Sequence, residues 1–224
     1  MKTWNELEIM KKESLPLWKN PDFIIIYLAL LISGIGDGIS KIALLKLSHD
    51  LTGSTVTLGL VFTCLTLPGI FAGLISGALA DRFSKKKIFV TANIMLGIAA
   101  AGFVLAYRFQ SISLVYLLAF IMGTFFSFDG GPFRAYLPEI FPKEKLAKVN
   151  ASVSSIQSLT MLIGPALGGL ILAAGTVTTA FLIDAATFFV SAGMMWFLPT
   201  TLPKWVKNPR LPGLCRPTAY TLSL

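Results

Sequence analysis

Long apolar runs separated by short polar joints dominate the chain. Six of these runs are long enough to cross a bilayer, which takes roughly 20 helical residues each. Because a backbone in hydrocarbon must satisfy its own hydrogen bonds, the pattern predicts an all-α, polytopic membrane protein. The six predicted transmembrane helices lie near residues 22–46, 55–80, 87–107, 112–136, 147–174 and 177–198.

Composition supports this class and excludes others. Hydrophobic residues make up 54% of the chain and charged residues 13%, against about 25% charged residues in soluble domains. The mean hydropathy of +0.74 is too high for a soluble enzyme or a disordered chain. One histidine, two scattered cysteines and the lack of a Gly-rich phosphate loop predict no enzyme activity, no metal site and no cofactor.

The basic residues are unevenly distributed. Sixteen of the nineteen Lys and Arg residues fall before the first span, in the second joint, around the fourth joint and in the tail. The positive-inside rule therefore places both termini in the cytoplasm, and the basic excess indicates topology rather than nucleic-acid binding. The predicted organisation is a cytoplasmic segment (1–21), a transmembrane domain (22–198) and a cytoplasmic tail (199–224).

Two halves of the transmembrane domain resemble each other. Span 1 contains Asp37 followed by Gly38 and Lys41, and span 4 contains Asp129 followed by Gly130 and Arg134. Spans 2 and 5 each carry a proline followed by a Gly-Leu-Ile sequence at nearly the same offset. Three helices followed by three related helices of opposite direction predict the 3+3 inverted repeat of secondary transporters.

Glycines spaced by four residues predict faces at which helices pack closely. Such pairs and ladders occur in three spans. They are Gly34 and Gly38 in span 1, Gly69, Gly73 and Gly77 in span 2, and Gly164 and Gly168 in span 5.

Charged residues inside the spans are the candidate functional groups, since each costs about 2.5–3.5 kcal/mol to insert. Asp37 and Lys41 lie one turn apart, which fits either a proton site or a structural ion pair. Asp129 and Arg134 fit a gate, a helix-end pair or a proton path. Asp184 either titrates or bonds a neighbouring hydroxyl, and Gln157 either faces a cavity or bonds another helix.

The joint after span 2 reads Gly77-Ala-Leu-Ala-Asp81-Arg82-Phe-Ser84-Lys85-Lys86, which resembles the signature of the major facilitator superfamily. The chain departs from the signature at Ser84, where glycine is usual, and at Lys85, where arginine is usual. The resemblance implies that Gly77, Asp81, Arg82, Lys85 and Lys86 form a cytoplasmic gate.

Span 5 carries a second similarity. Gly164, Pro165, Gly168 and Gly169 resemble the G-P-x-x-G-G element of drug/proton antiporters, although Thr160 replaces a glycine often found before it. Residues 132–139, with Asn150 and Ala151, are similar to a macrolide-efflux and enterobactin-exporter-like branch of the superfamily.

These resemblances imply a proton-coupled exporter of an amphipathic drug-like or siderophore-like compound in a bacterial plasma membrane, working by alternating access. The family fold has twelve helices, so six correspond to its N-terminal half. The expected partners are a small-molecule substrate, protons, the lipid bilayer, and either a missing C-terminal half or a second copy. The alternatives are a truncated or frameshifted, non-transporting fragment and a half-transporter that dimerises. An importer is disfavoured by the span 5 element.

Overall fold

The computed structural model describes residues 16–198, apart from the side chains of residues 80–82. After a short 3₁₀ turn at Leu17–Lys19, six helices follow in succession, all of them long and apolar enough to cross a membrane. This confirms the predicted all-α class. The helices are α1 (Pro21–Thr52), α2 (Thr55–Arg82), α3 (Lys85–Arg108), α4 (Ile112–Ile140), α5 (Lys143–Ala174) and α6 (Val177–Trp196).

The joints are short, and side-chain caps stand at the start of four of the six helices. Asn20 accepts a hydrogen bond from the backbone N–H of Asp22 at 3.0 Å and starts α1. Gly53, with φ of 64°, ends α1 and donates its N–H to the carbonyl of His49 at 2.8 Å. Glycine adopts this left-handed conformation without a steric cost. The side chains of Ser54, Ser111 and Thr176 cap α2, α4 and α6.

Several helices extend beyond the predicted apolar spans. α1 continues to Thr52 rather than ending near residue 46, and α4 continues to Ile140 although Pro132 and Pro138 lie inside it. α5 begins at Lys143, so the predicted joint between residues 138 and 148 shrinks to residues 141–142. Hydropathy marks the part of a helix that suits hydrocarbon, whereas polar helix ends continue into the interface.

The helix packing has an internal symmetry. α3 packs against α6 in the middle of the body. α1 packs against α6 and α5, and α4 packs against α3 and α2 in the same manner. Exchanging the first three helices with the last three therefore preserves the packing pattern, as the 3+3 repeat requires. α2 and α5 occupy the two flanks, each supported mainly by one helix.

The body contains two apolar cores. One joins α1, α3, α4 and α6, and within it the rings of Phe103 and Phe181 stack at 5.0 Å. The other lies at the end that carries residues 16–23, 83–89 and 137–149, which we call the lysine end. There the ring of Phe23 meets that of Phe141 edge-on at 6.2 Å. The two cores hold the four central helices together.

Candidate functional site

A charged pair lies on the outer face of α1. The Lys41 Nζ donates to the Asp37 Oδ2 at 2.6 Å, one helical turn apart. The Lys41 side chain is 52% exposed and that of Asp37 is 19% exposed. The predicted pair therefore forms, and it faces out of the six-helix body rather than into its core.

On α4, Asp129 has a partner that the sequence analysis missed. The buried Asn93 of α3 donates from its Nδ2 to Asp129 Oδ1, and also to the Phe89 carbonyl at 3.1 Å. The sequence does contain a signal for Asn93, since an amide side chain within an apolar span needs a hydrogen-bonding partner. Within the described residues Asp129 forms no ion pair with Arg134, which is exposed. Residues five apart point about 140° apart around a helix, so the two side chains diverge.

Asp184 of α6 is enclosed completely. Its side chain is 0% exposed, and neither carboxyl oxygen has a hydrogen-bond partner among the described residues. It lies against α1 at Gly36, where an added Cβ would come within 2.9 Å of the Asp184 Oδ1. The Asp37 side chain keeps some exposed surface, whereas that of Asp184 has none.

α1 contacts both α4 and α6, so its acid Asp37 lies within electrostatic range of an acid on each of them. The carboxyl of Asp37 influences both that of Asp129 and that of Asp184. α1 and α4 thus bring three of the predicted path residues into one region: Asp37, Lys41 and Asp129. Arg134 and Gln157 are exposed on α4 and α5, and Asp184 lies behind α1.

The antiporter-like element of α5 forms the contact with α1. A Cβ on Gly38 would lie 2.6 Å from the Gly164 Cα, and a Cβ on Gly168 would lie 3.1 Å from the Ile39 Cα. The backbones therefore cross in direct contact, with Pro165 at the crossing. Gly169 faces open space within the described structure.

Both lysines of the predicted gate have their binding partners within the six-helix body. Lys85 forms a salt bridge with Glu139 of α4. Lys86 is 7% exposed, donates to the carbonyls of Trp196 and Leu198, and lies 5.7 Å from the centre of the Trp196 ring. A cation at these terminal carbonyls stabilises the negative end of the α6 dipole. The side chains of Asp81 and Arg82 lie outside the described part of the chain, and Gly77 faces open space within it.

A cavity of about 330 Å³ opens at the lysine end between α2, α3 and α4. Aromatic and aliphatic side chains line most of it, including Phe83, Phe125 and Phe128, while Lys87 and Thr91 add polar groups. The described residues contain no cluster of His, Cys, Asp or Glu that could hold a metal ion. The side chains of this site offer charge pairing, proton binding and apolar contact.

Comparison with known proteins places these features in a family. The profile of the Major Facilitator Superfamily matches residues 26–218. The chain is 31% identical over 186 residues to the uncharacterized MFS-type transporter YfiS of Bacillus subtilis, covering 82% of this chain and 44% of that protein. It is 32% identical over 187 residues to the enterobactin exporter EntS of Escherichia coli, covering 82% of this chain and 45% of EntS.

A third relative is the multidrug efflux pump Tap of Mycobacterium tuberculosis, which is 30% identical over 181 residues. The match covers 77% of this chain and 43% of Tap. The chain thus spans less than half the length of these curated relatives. All three are transporters, which confirms the prediction of a transporter-family chain rather than an enzyme. With six spanning helices in the repeated packing of half a transporter fold, the chain belongs to the Major Facilitator Superfamily.

Proposed function

We propose that this chain is the N-terminal six-helix half of a proton-coupled exporter, which moves an amphipathic drug-like or siderophore-like compound by alternating access. The observation that carries the proposal is the Asp37–Lys41 pair on the outer face of α1. Charged groups within a spanning segment are costly unless they serve a polar path or bind one another. Two of the relatives are a multidrug efflux pump and an enterobactin exporter, which favours outward movement of such compounds.

The proposed path runs along the face formed by α1 and α4. Asp37 and Asp129 supply carboxylates, Lys41 and Arg134 supply bases, and Gln157 on α5 adds an exposed amide. Protonation of Asp37 would release Lys41 and change the charge of the path. A ligand or proton shifts a conformational equilibrium only through different affinities for the two states. The Asp37–Lys41 pair offers such a difference, since only an ionised Asp37 holds Lys41.

The flanking helices α2 and α5 are the proposed contact with the rest of the transporter. Their outer faces carry large exposed apolar side chains, among them Phe71, Leu74, Met161 and Leu170. We propose that either a C-terminal half or a second copy of this chain covers these faces across the substrate path. A non-transporting fragment is the alternative function, in which the same faces meet lipid alone.

The proposed orientation places the lysine end in the cytoplasm of a bacterial cell, together with both termini. A cysteine introduced at Ser84 or Glu144 should then react with an impermeant maleimide only after the cells are opened. A cysteine at Ser54, beyond the opposite end of α1, should react in intact cells. Labelling of the Ser84→Cys variant in intact cells would reverse the orientation.

Transport is tested in two steps. The purified chain in liposomes with an imposed proton gradient should show no saturable uptake of a lipophilic cationic dye, because the path then has only one wall. Saturable, gradient-dependent uptake would instead establish a functional dimer of this chain and exclude the fragment.

The second step uses a twelve-helix form, made by joining residues 1–198 to the second half of Tap. Asp37→Asn should abolish gradient-driven dye export and leave dye binding measurable. Asp50→Asn is the matched control, because the Lys46–Asp50 pair has the same spacing on α1 but lies near its end, with side chains 48% and 44% exposed. Unchanged coupled export in Asp37→Asn would remove Asp37 from the mechanism.

A further inference from the structure

The carboxyl group of Asp184 is the most unusual polar group in the described structure. It is 0% exposed and both of its oxygens lack a hydrogen-bond partner there. Ser40 of α1 faces it without reaching normal hydrogen-bond geometry. A carboxylate left buried and unpaired is strongly disfavoured, whereas a protonated carboxyl group carries no net charge to desolvate.

The site is shaped to admit this side chain. At Gly36 an added Cβ would stand 2.0 Å from the Thr187 Oγ1 and 2.9 Å from the Asp184 Oδ1. The missing side chain at residue 36 thus lets polar atoms of α6 reach the backbone of α1. Ser191, two turns further along α6, is buried as well, and its hydroxyl has no partner among the described residues. The α1–α6 interface is therefore a polar seam with unfilled hydrogen-bonding capacity.

The internal repeat shows what the equivalent position does in the other half of the body. The α3–α4 interface corresponds to the α6–α1 interface. Asn93 lies about two turns into α3 and Asp184 about two turns into α6. Asn93 is also buried, and its amide donates to Asp129 on the neighbouring helix. Asparagine has nearly the shape of a protonated aspartic acid, and both can donate a hydrogen bond.

We propose that Asp184 is a proton-binding site within the α1–α6 interface, where it is held as a carboxylic acid in the place that Asn93 occupies in the other repeat. The bound ligand is the proton itself. Asn93 gives its repeat a permanent donor, whereas Asp184 gives the α1–α6 seam a donor that can be removed.

The charged groups that act on Asp184 come from α1. They are Asp37 and Lys41, which are bonded to each other at 2.6 Å. The charged residues of α3 lie at its two ends, and those of α5 lie within its first six residues. Loss of the proton therefore requires either water entering between α1 and α6 or movement of Lys41. If the proposed export function holds, separation of α1 from α6 during the transport cycle releases this proton.

The site is tested without transport, by infrared spectroscopy of the purified chain in lipid nanodiscs near neutral pH. We expect a carbonyl band of a protonated carboxyl group that disappears in Asp184→Asn and persists in Asp129→Asn and Asp50→Asn. Asp184→Asn should also keep the thermal unfolding midpoint of the parent chain, because asparagine already fits the equivalent place in the other repeat. An absent band, or a band that Asp184→Asn leaves unchanged, would overturn the proposal.

Two further variants are measured in the twelve-helix form. In the twelve-helix form, Asp184→Asn should retain dye binding and lose the dependence of export on the proton gradient. Asn93→Asp in the same form supplies a second removable donor and should make unfolding pH-dependent. If Asn93→Asp leaves unfolding independent of pH, the equivalence between the two positions fails, whatever the export result.

Discussion

The α1–α5 crossing and the outer face of α2 carry the same glycine spacing but differ in structure. At the crossing, Gly38 and Gly164 bring two backbones into contact. On α2, Gly69 approaches the Ser127 hydroxyl of α4, whereas Gly73 and Gly77 face open space within the described structure. The close packing predicted for the glycine pairs of spans 1 and 5 is therefore observed, and that predicted for the α2 ladder holds for Gly69 alone.

Helix geometry explains the difference. Residues four apart are offset by about 40° around a helix, so a long ladder turns gradually away from a straight neighbour. α2 meets α4 instead through Gly123, where an added Cβ would stand 2.1 Å from the Leu65 carbonyl oxygen. Spacing by four thus identifies a face that allows close approach, but not the helix that uses it.

The largest expected effect is at the closed crossing. Gly38→Val or Gly164→Val would force side-chain atoms into the facing backbone, where a Cβ alone already lies within 2.8 Å of it. We expect a loss of stability on the order of 3 kcal/mol and little folded protein. Gly73→Val is the matched control on the open ladder. Size-exclusion profiles and thermal unfolding in detergent would measure the yield of folded protein and its stability. An equal loss of stability at the crossing and at Gly73 would contradict the difference between the two regions.

The next largest effect is expected for two neighbouring lysines, of which one is buried and the other exposed. Lys86 is buried against the carbonyls of Trp196 and Leu198, whereas Lys87 is exposed. Lys86→Met would leave these acceptors without their donor, which costs about 1–3 kcal/mol for a buried group. Lys87→Met should be nearly neutral. Thermal unfolding midpoints would show the ranking, and a neutral Lys86→Met would mean that water replaces the lysine.

A smaller effect is expected for the salt bridges. Lys85 and Glu139 join α3 to α4 with side chains 20% and 25% exposed. A double-mutant cycle with Lys85→Met and Glu139→Gln should give a coupling of about 1 kcal/mol, and the exposed Lys46–Asp50 pair should give less. The reverse order would show that solvent exposure does not rank these two pairs.

The smallest effect on the isolated chain is expected on the open ladder. Gly73→Ala and Gly77→Ala add a methyl group to empty space and should change stability by less than about 0.5 kcal/mol. If a second six-helix body covers this face of α2, the same substitutions should weaken the binding between the two bodies. Cross-linking of the chain in membranes, before and after Gly77→Ala, measures this. A large loss of stability in the isolated chain would show that α2 is already covered within it.

Local pattern alone predicted much of the candidate site. Asp37 and Lys41 are one turn apart on a helix, so their pairing follows from spacing without any tertiary information. The partner of Asp129 could not be predicted in this way. Asn93 lies on a different helix, and its selection depends on which faces of α3 and α4 meet. The same holds for Lys86, since its acceptors stand at the far end of α6.

The sequence by itself determined the membrane class, the number of helices and the repeat, because these depend on runs of apolar residues and on the spacing of a few charges and prolines. Only the tertiary structure decided that Asp37 is partly exposed while Asp184 is fully buried, that Gly164 is covered while Gly77 is open, and that Lys86 is buried while Lys87 is not. Each of these pairs combines similar residues in similar local patterns. They differ in the helix that stands opposite, and that depends on contacts between residues distant in the chain.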